Sequence, residues 1–568
     1  FGKHEMRYGV AYDDISYKDT ASYTGPSFNV DVGGTPVATQ GGGIVSVRNT
    51  VGTVSDAYDT ANIFRVTRAR LSPEAPATTA TEQSFFVQDT WSITPRWTVK
   101  AGVRLTEETI KGSGEFSLTL GGVTTDYKPS QYTFDGNLAP RLGVTWDVLG
   151  NGKSRLYGNW GRYYERVPND LAVRAFSNEV GISRANFTDR DLTTQTGSTS
   201  VQGIQPTTVV DGTKLPYEDE LSGGFAFEVT PSSSFEVRAI YRTQGRALED
   251  VQVNSIEQIQ NYYYGYSYGY PYDPFGGSTG TPVSTAFPAA AFGAYELANP
   301  GTKNVPTGGN FPKPVRRYKA LELVYTKRFS DNWSLYANYR FARLVGNYEG
   351  LFRNDNGQSD PNITSLYDFP NSPLMSGQFA AGPLPADVSH VLHVYPSYTF
   401  NNKLRVGANF SWASGVPRTS MLAHPIYQNS GEIPGINPTY AYWADPVGLG
   451  VPADYVLSKT KNLSAALADP DAVPGPGIFL YDYDPVKRGN LGRTPDLVTL
   501  DLHGDYPVTF GKTKLTLILD VFNVFKTQEP TLFDDNIELT AGVTDPDFLK
   551  PLQYQSPRQW RLAARWDF

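Results

Sequence analysis

The sequence predicts an all-β fold, an antiparallel transmembrane β-barrel, and three observations support that prediction. Segments of about ten residues alternate between apolar and polar side chains, as a strand does when its two faces meet different surroundings. Very short turns join these segments in pairs, while long connections separate one pair from the next. Aromatic residues make up 13% of the 568 residues, yet no stretch approaches the roughly 18 apolar residues of a membrane-spanning helix.

The composition agrees with many strands joined by turns. The chain contains 54 Gly and 41 Pro, only 19% of its residues are charged, and its mean hydropathy is -0.37. A formal net charge of -8 argues against nucleic acid as a partner. Because the chain has no cysteine, disulfides and thiolate metal sites play no part in its stability.

The first strand is predicted over Lys3 to Tyr17, where apolar positions alternate with polar or small ones. Two further strands are predicted at Gly43 to Val51 and at Asn62 to Leu71, where the alternation is weaker. The last strand runs to the end of the chain, and its apolar face carries Trp560, Leu562, Ala564, Trp566 and Phe568. Aromatic residues near both ends of such a strand are typical of a membrane barrel whose polar face lines a wet lumen.

Six hairpins are predicted between these strands, because turns this short demand antiparallel neighbours. Their paired segments are Ser84 to Ile93 with Trp97 to Thr109, Leu138 to Val148 with Ser154 to Arg166, Gly223 to Val229 with Phe235 to Thr243, Leu321 to Phe329 with Ser334 to Arg343, Val391 to Phe400 with Leu404 to Ala413, and Leu497 to Val508 with Leu515 to Phe525. About sixteen strands result.

Long connections follow each hairpin, the longest between Gly415 and Pro495. Loops of this length are rare inside a compact soluble domain. They are expected in an outer-membrane barrel, where periplasmic turns are short and extracellular loops are long.

Several motifs resemble those of TonB-dependent outer-membrane receptors. Within that family the resemblance is to the large Oar-like group, whose members carry a carboxypeptidase-regulatory-like domain ahead of the plug. The matching segments are Phe85 to Arg104, Asn137 to Val167, Arg488 to Val508, Leu515 to Phe525 and the closing SPRQWRLAARWDF. Their order and spacing together carry the resemblance, which covers most strands and few of the long loops.

The resemblance implies a receptor of the Gram-negative outer membrane that imports a scarce or bulky substrate by TonB-coupled transport. Family members have twenty-two strands and a plug that contacts TonB. Here residues 1–568 resemble only the carboxy-terminal barrel portion, so we expect the plug and the first strands to lie outside this chain. The implied partners are outer-membrane lipid and lipopolysaccharide, the TonB complex through the plug, and an extracellular ligand such as a siderophore, a glycan or a peptide.

Two other functions remain open at this point. A passive porin of about sixteen strands would be a smaller complete barrel, and a surface adhesin would use the long loops as contact surfaces. An enzyme is not expected, because no nucleophile–base–acid set, HExxH motif or phosphate loop is evident.

The candidate substrate-binding segment is a tyrosine-rich extracellular loop, NYYYGYSYGYPYDPF. Tyrosine offers flat amphipathic surfaces at a low entropic cost. The candidate binding residues are Tyr262, Tyr263, Tyr264, Tyr266, Tyr268, Tyr270 and Tyr272. The alternative is a low-complexity tip that packs on neighbouring loops or on lipopolysaccharide.

No cofactor or metal is expected. The segment Arg353 to Asn362 carries carboxylates and amides that calcium accepts, but the spacing differs from an EF-hand and is equally typical of Asx turns. His390 and His393 fall on opposite faces of one predicted strand, so they do not chelate one ion together.

Overall fold

A computed structural model describes most of the predicted strands and part of the long connections. The described residues are 3–18, 29–32, 35–38, 40–46, 64–70, 78–112, 116–120, 123–127, 131–169, 171, 181–189, 191–202, 208–252, 295–302, 311, 313–353, 381–422, 430–431, 433–434, 441–443, 479–481, 486–540 and 543–568. Within them, no helix has the length and apolar character needed to cross a membrane.

Fourteen long strands form the main sheet. In chain order they are β1 (His4–Tyr17), β2 (Thr78–Thr94), β3 (Trp97–Lys111), β4 (Gln131–Trp146), β5 (Ser154–Tyr164), β6 (Tyr217–Thr230), β7 (Ser233–Arg246), β8 (Arg316–Ser330), β9 (Trp333–Gly346), β10 (His390–Thr399), β11 (Arg405–Ala413), β12 (Leu497–Phe510), β13 (Thr513–Phe522) and β14 (Gln559–Asp567).

The main sheet is a meander in which every long strand pairs antiparallel with its sequence neighbours. A fifteenth member, Gly382–Pro383, adds two residues beside β9. The edges are β1 and β14, and the described residues include no pairing between them. The predicted fold class, an all-β antiparallel barrel wall with short turns and long loops, is confirmed.

The two faces of the sheet differ sharply in chemistry. Residues paired directly across neighbouring strands point to the same side, so the register assigns each side chain to a face. One face, here called the apolar face, exposes large hydrophobic residues: Trp560, Leu562 and Trp566 on β14 are 66%, 82% and 60% exposed. An apolar surface of this extent is typical of a membrane interaction site, and the opposite surface is here called the polar face.

A stacked aromatic pair lies on the apolar face near two of the short turns. Trp97 and Trp146 are directly paired across β3 and β4, and their rings stack with centroids 5.0 Å apart. An aromatic pair of this kind contributes about 0.5–1.5 kcal/mol beyond its buried area. Its amphipathic rings suit the boundary between lipid and water.

The short turns are built from residues that tolerate unusual backbone angles. The β8–β9 turn has Asp331 at φ 55° and Asn332 at φ 69°. Two consecutive positive φ values define the mirror-image turn whose twist matches that of antiparallel strands. Asp and Asn adopt this conformation at lower cost than other side chains do, apart from glycine.

Two predicted barrel strands belong instead to a separate sheet. The segments predicted at Gly43 to Val51 and Asn62 to Leu71 appear as Gln40–Ser46 and Phe64–Arg70. They pair with each other, Phe64–Arg70 also pairs with Gly181–Phe187, and Gly181–Phe187 in turn pairs with Gln195–Gln202. The last two strands lie in the β5–β6 connection. Each has only seven residues, too few to cross a membrane at a tilt. The main sheet therefore has fourteen long strands where about sixteen were predicted.

Further short strands pair within or between the long connections. They are Asn29–Val32 with Thr35–Ala38, Phe116–Leu120 with Val123–Tyr127, Thr208–Val209 and Glu249–Gln252 with Tyr295–Ala298, Met421–Leu422 with Ile433–Pro434, Ala441–Trp443 with Phe479–Tyr481, Pro530–Phe533 with Pro551–Tyr554, and Glu538–Thr540 with Val543–Thr544. All lie at the end of the sheet opposite the short turns, here called the long-loop end.

Candidate functional site

The polar face of the main sheet carries the charged side chains that the sequence predicts for a lumen. The register places six charged residues of the long strands on this face: Arg104, Arg155, Arg238, Glu322, Asp501 and Asp520. Strict alternation along each strand is sufficient to predict this placement. What alternation does not predict is which charges meet.

Ion pairs join β6, β7 and β8 across this face. Arg238 Nε lies 2.9 Å from Glu322 Oε2 on the next strand, and Arg242 pairs with Glu220 on the previous one. In each pair the two residues are directly opposite in the register. Opposite charges at such positions favour the observed pairing of strands.

A denser network spans β11 to β14. The His503 imidazole bridges two carboxylates, with Nδ1 2.7 Å from Asp520 Oδ1 and Nε2 2.9 Å from Asp505 Oδ2. Arg405 Nε lies 2.6 Å from Asp505, and Arg561 Nε lies 2.8 Å from Asp520. Five side chains on four strands thus form one hydrogen-bonded chain, which ties the last strand of the sheet to its neighbours.

Three carboxyl groups form a row at the long-loop end of the polar face. Asp13 on β1 is directly paired with Glu82 on β2, and Glu82 with Glu108 on β3. Arg166, just beyond β5, lies over the row, with Nη2 3.3 Å from Asp13 and 3.1 Å from Glu82. Arg104 Nη2 lies 3.4 Å from Glu82. Glu82 is therefore well compensated by two guanidinium groups.

Glu108 is the buried member of this row. Its side chain is fully buried, and its Oε1 accepts a hydrogen bond from the Val167 backbone N–H at 3.2 Å. Glu108 Oε2 has no hydrogen-bond partner among the described residues. Burial raises the pKa of Glu108 to about 8, and the nearby Arg166 charge only partly offsets this.

Glu108 lies beyond the part of β3 that faces lipid. Along the apolar face of β3 the side chains Trp97, Val99, Ala101, Val103 and Leu105 are followed by Glu107, a charged residue. The hydrocarbon layer therefore ends near Leu105, and Glu108 belongs to the mouth above it. At neutral pH most Glu108 carboxyls are protonated and can donate a hydrogen bond.

The long connections pack onto the polar face next to Glu108. The apolar cluster there combines strand residues with loop residues: Ala80, Ile110, Phe134, Val167, Leu171, Leu215, Leu248 and Leu297. Tyr132 OH, beside the cluster, donates to the Thr213 carbonyl at 2.9 Å. The connections β5–β6 and β7–β8 thus form a packed layer, here called the mouth cap, over the end of the polar face.

A cavity of about 540 Å³ opens on the polar face of β2 to β6, toward the short turns from the mouth cap. Lys100, Arg104 and Arg141 line it with positive charge, and Glu220 contributes one carboxylate. Glycines at 102 and 143 form part of its floor. A second cavity of about 130 Å³ is lined by Glu82, Glu108 and Arg166, and also by Leu215 of the mouth cap. A recess of this kind, with convergent polar groups, can accept an anionic or hydroxyl-bearing group.

A buried charged cluster anchors other long connections. Glu349 after β9 pairs with Arg488 before β12, and its Oε2 lies 3.8 Å from Arg353 Nε. Arg353 and Arg488 are 1% and 3% exposed. Sequence reasoning did not predict this cluster, although Arg488 opens one of the motifs quoted for the family resemblance. The motif drew attention to Arg488, but the sequence does not indicate its partner Glu349, which is far away in the chain.

The predicted binding residues fall outside the part of the chain that the structure describes. Tyr262 to Tyr272 lie in the segment 253–294, and of the suggested calcium segment only Arg353 is described. Within the described residues, no group of three or more His, Asp or Glu side chains is arranged to hold a metal ion. His390 is paired with Phe341 on the apolar face and His393 with Asn338 on the polar face, so their predicted separation is confirmed.

Comparison with known proteins identifies relatives over the whole chain. A family model described as outer membrane beta barrel domain matches residues 1–542. The TonB-dependent transporter Oar of Myxococcus xanthus is 28% identical over 607 aligned residues, which cover 100% of this chain and 49% of the transporter. The chain therefore spans about half the length of the curated relative it matches.

Two solved structures that match the chain are more distant in sequence. The outer membrane transporter YddB from Escherichia coli is 12% identical with a TM-score of 0.46, over 99% of this chain and 61% of that one. The siderophore receptor PiuA from Acinetobacter baumannii is also 12% identical with a TM-score of 0.46, over 100% of this chain and 53% of that one.

Proposed function

Because the chain belongs to the outer membrane beta barrel family, we propose that it forms the wall of a TonB-dependent receptor that imports a scarce or bulky substrate. The protein is located in the outer membrane of a Gram-negative bacterium, so its short turns face the periplasm and its long loops face outward. The curated relative is named as a TonB-dependent transporter, which supports the transport part of the proposal. We assign the chain no enzymatic activity.

The observation that carries the proposal is the mouth cap. Leu215, Leu248 and Leu297, all from long connections, are fully buried against the polar face. A pore for passive diffusion needs an open path, whereas a receptor needs an ordered extracellular surface that recognises its ligand. Loops held by a hydrophobic core provide such a surface at a fixed position on the barrel wall.

The route that we propose for the substrate starts at the outer loops and follows the polar face. We propose that the tyrosine-rich segment from Tyr262 to Tyr272 makes the first contact with a siderophore, glycan or peptide. The cations around the large cavity, Lys100, Arg104 and Arg141, then face the passing substrate or the plug. We further propose that a plug fills the barrel and makes the contact with TonB.

An uptake assay tests this proposal. Cells lacking the gene are complemented with the wild-type protein, and uptake of a labelled ferric siderophore, oligosaccharide and peptide set is measured with and without functional TonB. We expect saturable uptake of at least one class that disappears without TonB. Uptake that is linear in concentration and independent of TonB would identify a passive pore. Unchanged uptake after gene deletion, together with lost surface attachment, would identify an adhesin.

A variant in the mouth cap tests whether this layer is needed for uptake. Leu248→Glu places a charge in the fully buried cluster and should abolish saturable uptake while the barrel still inserts. Leu532→Glu is the matched control, because Leu532 is exposed and lies in the β13–β14 connection. Equal uptake by the two variants would argue against a role for the mouth cap.

A further inference from the structure

We propose that a basic patch on the apolar face binds the phosphate groups of an outer-leaflet glycolipid. The patch consists of Arg317 and Lys319 on β8 and Arg343 on β9. Lys319 and Arg343 are directly opposite each other in the register, and all three side chains are exposed. The β8–β9 register places them on the same side as Leu321 and Phe341, which is the side that faces lipid.

The patch lies where the hydrocarbon layer ends. Outward side chains of β9 are apolar from Trp333 to Phe341, and Arg343 is the first charged one. On β8 the outward side chains change from apolar to charged between Leu321 and Lys319. Arg343 is about eleven residues from the periplasmic turn, which corresponds to roughly 28 Å along the membrane normal for a tilted strand, compared with an apolar band of about 25 Å.

The positive charges of the patch are poorly compensated by the protein. Lys319 and Arg317 have no ion-pair partner among the described residues. Arg343 Nη1 lies 3.7 Å from Asp387 Oδ2, but that buried carboxylate already pairs with Arg493 and accepts the Leu344 N–H at 2.7 Å. The patch therefore carries a surplus of positive charge.

Two like charges directly opposite each other destabilise a sheet. A phosphate shared between Lys319 and Arg343 would turn this repulsion into attraction, because each cation donates charge-assisted hydrogen bonds to phosphate oxygens. Arg317, one row nearer the long-loop end, could contact the same or a second phosphate.

The surrounding aromatic rings suit a lipid that carries both phosphates and acyl chains. Lys319 Nζ lies 5.8 Å from the centre of the Tyr241 ring, and the Arg343 guanidinium lies 5.7 Å from that of Phe341. The rings hold the cations at the apolar boundary. Acyl chains can then cover Leu321 and Phe341 while the headgroup phosphates reach the cations. A soluble phosphate lacks this second contact, so the patch is matched to a membrane lipid.

Lipid A binding to the purified intact protein tests the inference. The protein is placed in nanodiscs of zwitterionic phospholipid, and retention of bis-phosphorylated lipid A is measured by native mass spectrometry. We expect the wild type to retain lipid A and K319Q/R343Q to bind it at least tenfold more weakly. The control K403Q/K512Q removes two exposed cations from the periplasmic turns and should bind as the wild type does.

The source of the phosphate is distinguished in the same experiment. Dephosphorylated lipid A should bind no better to the wild type than to K319Q/R343Q, and millimolar inorganic phosphate should not displace lipid A. Equal retention by K319Q/R343Q and the control, or displacement by inorganic phosphate, would overturn the inference. Where the double variant fails to insert, K319Q alone should show a partial loss, and full retention by this single variant would be equally decisive against the patch.

Discussion

Glu82 and Glu108 are directly paired across β2 and β3, so their carboxyl groups lie side by side on the polar face. Two adjacent carboxylates repel each other, and the surroundings of these two residues differ. Arg104 and Arg166 both reach Glu82, whereas Glu108 is buried under the Val167 segment. Burial therefore favours the protonated acid at Glu108 and raises its pKa.

This asymmetry predicts a pH dependence of the mouth cap. The folded-state pKa of Glu108 is about 8, above its ordinary value of 4.5. The folded state therefore binds the proton of Glu108 more tightly than the unfolded state does. The contribution of Glu108 to stability is greatest below pH 4.5 and is lost as the pH rises toward 8. We expect a loss of at most about 5 kcal/mol across this range, since the pKa differs by about 3.5 units and one unit corresponds to about 1.4 kcal/mol.

The measurement is hydrogen exchange of the mouth-cap segments at pH 5.5 and pH 8.5, corrected for the intrinsic exchange rate. The wild type should lose protection at the higher pH, whereas Glu108→Gln should be protected equally at both. The glutamine amide keeps the shape of the protonated acid and cannot ionise. A wild-type protein whose cap protection is the same at both pH values would contradict the assigned pKa.

Removing the carboxylate of Glu349 should disrupt the base of the β9–β10 and β11–β12 connections. Glu349→Gln removes the carboxylate that pairs with Arg353 and Arg488, both of which are almost fully buried. Breaking a buried ion pair from one side costs about 3–5 kcal/mol. Limited proteolysis of intact vesicles should therefore cut the long loops near 349 or 488 faster than in the wild type. Glu529→Gln, in the β13–β14 connection, serves as the control and should leave the rate unchanged.

The β8–β9 turn makes a prediction about backbone strain. Asn332→Gly should be neutral or slightly stabilising, because glycine adopts a φ of 69° without a Cβ clash. Asn332→Val should cost roughly 1–2 kcal/mol, because a β-branched residue is strongly disfavoured there. Thermal unfolding in detergent, followed as loss of heat-modifiable electrophoretic mobility, separates the two. A valine variant as stable as the glycine variant would show that the turn has another conformation in the membrane.

The sequence predicted the barrel wall because each strand carries its own signal. Alternation along β9 or β11 shows which residues share a face, and a two-residue turn determines the partner strand. Phe64–Arg70 shows where this reasoning fails, since a strand in a long loop has the same local pattern but pairs with Gly181–Phe187, more than a hundred residues away. The pairing of Glu349 with Arg488 has the same character. The binding role of Tyr262 to Tyr272 stays a prediction, because it lies outside the described residues.

The cavity floor offers a comparison between two glycines on neighbouring strands. A Cβ added at Gly102 would lie 2.7 Å from the Gln88 Cβ and 3.1 Å from the Val87 carbonyl oxygen. A Cβ added at Gly143 would lie 2.8 Å from Asn159 Oδ1. The first clash involves backbone and the root of a side chain, which cannot move away. The second involves the end of a side chain that borders the open cavity.

The two alanine variants should therefore differ in sign. Gly102→Ala should lower the unfolding free energy by about 1–3 kcal/mol through overpacking. Gly143→Ala should be neutral, or stabilising by up to about 0.5 kcal/mol, because alanine loses less backbone entropy than glycine does. Unfolding of both variants by urea from the same vesicles measures the difference. If Gly143→Ala proved the more destabilising of the two, Asn159 could not turn into the cavity, and the space beside it would already be filled in the assembled receptor.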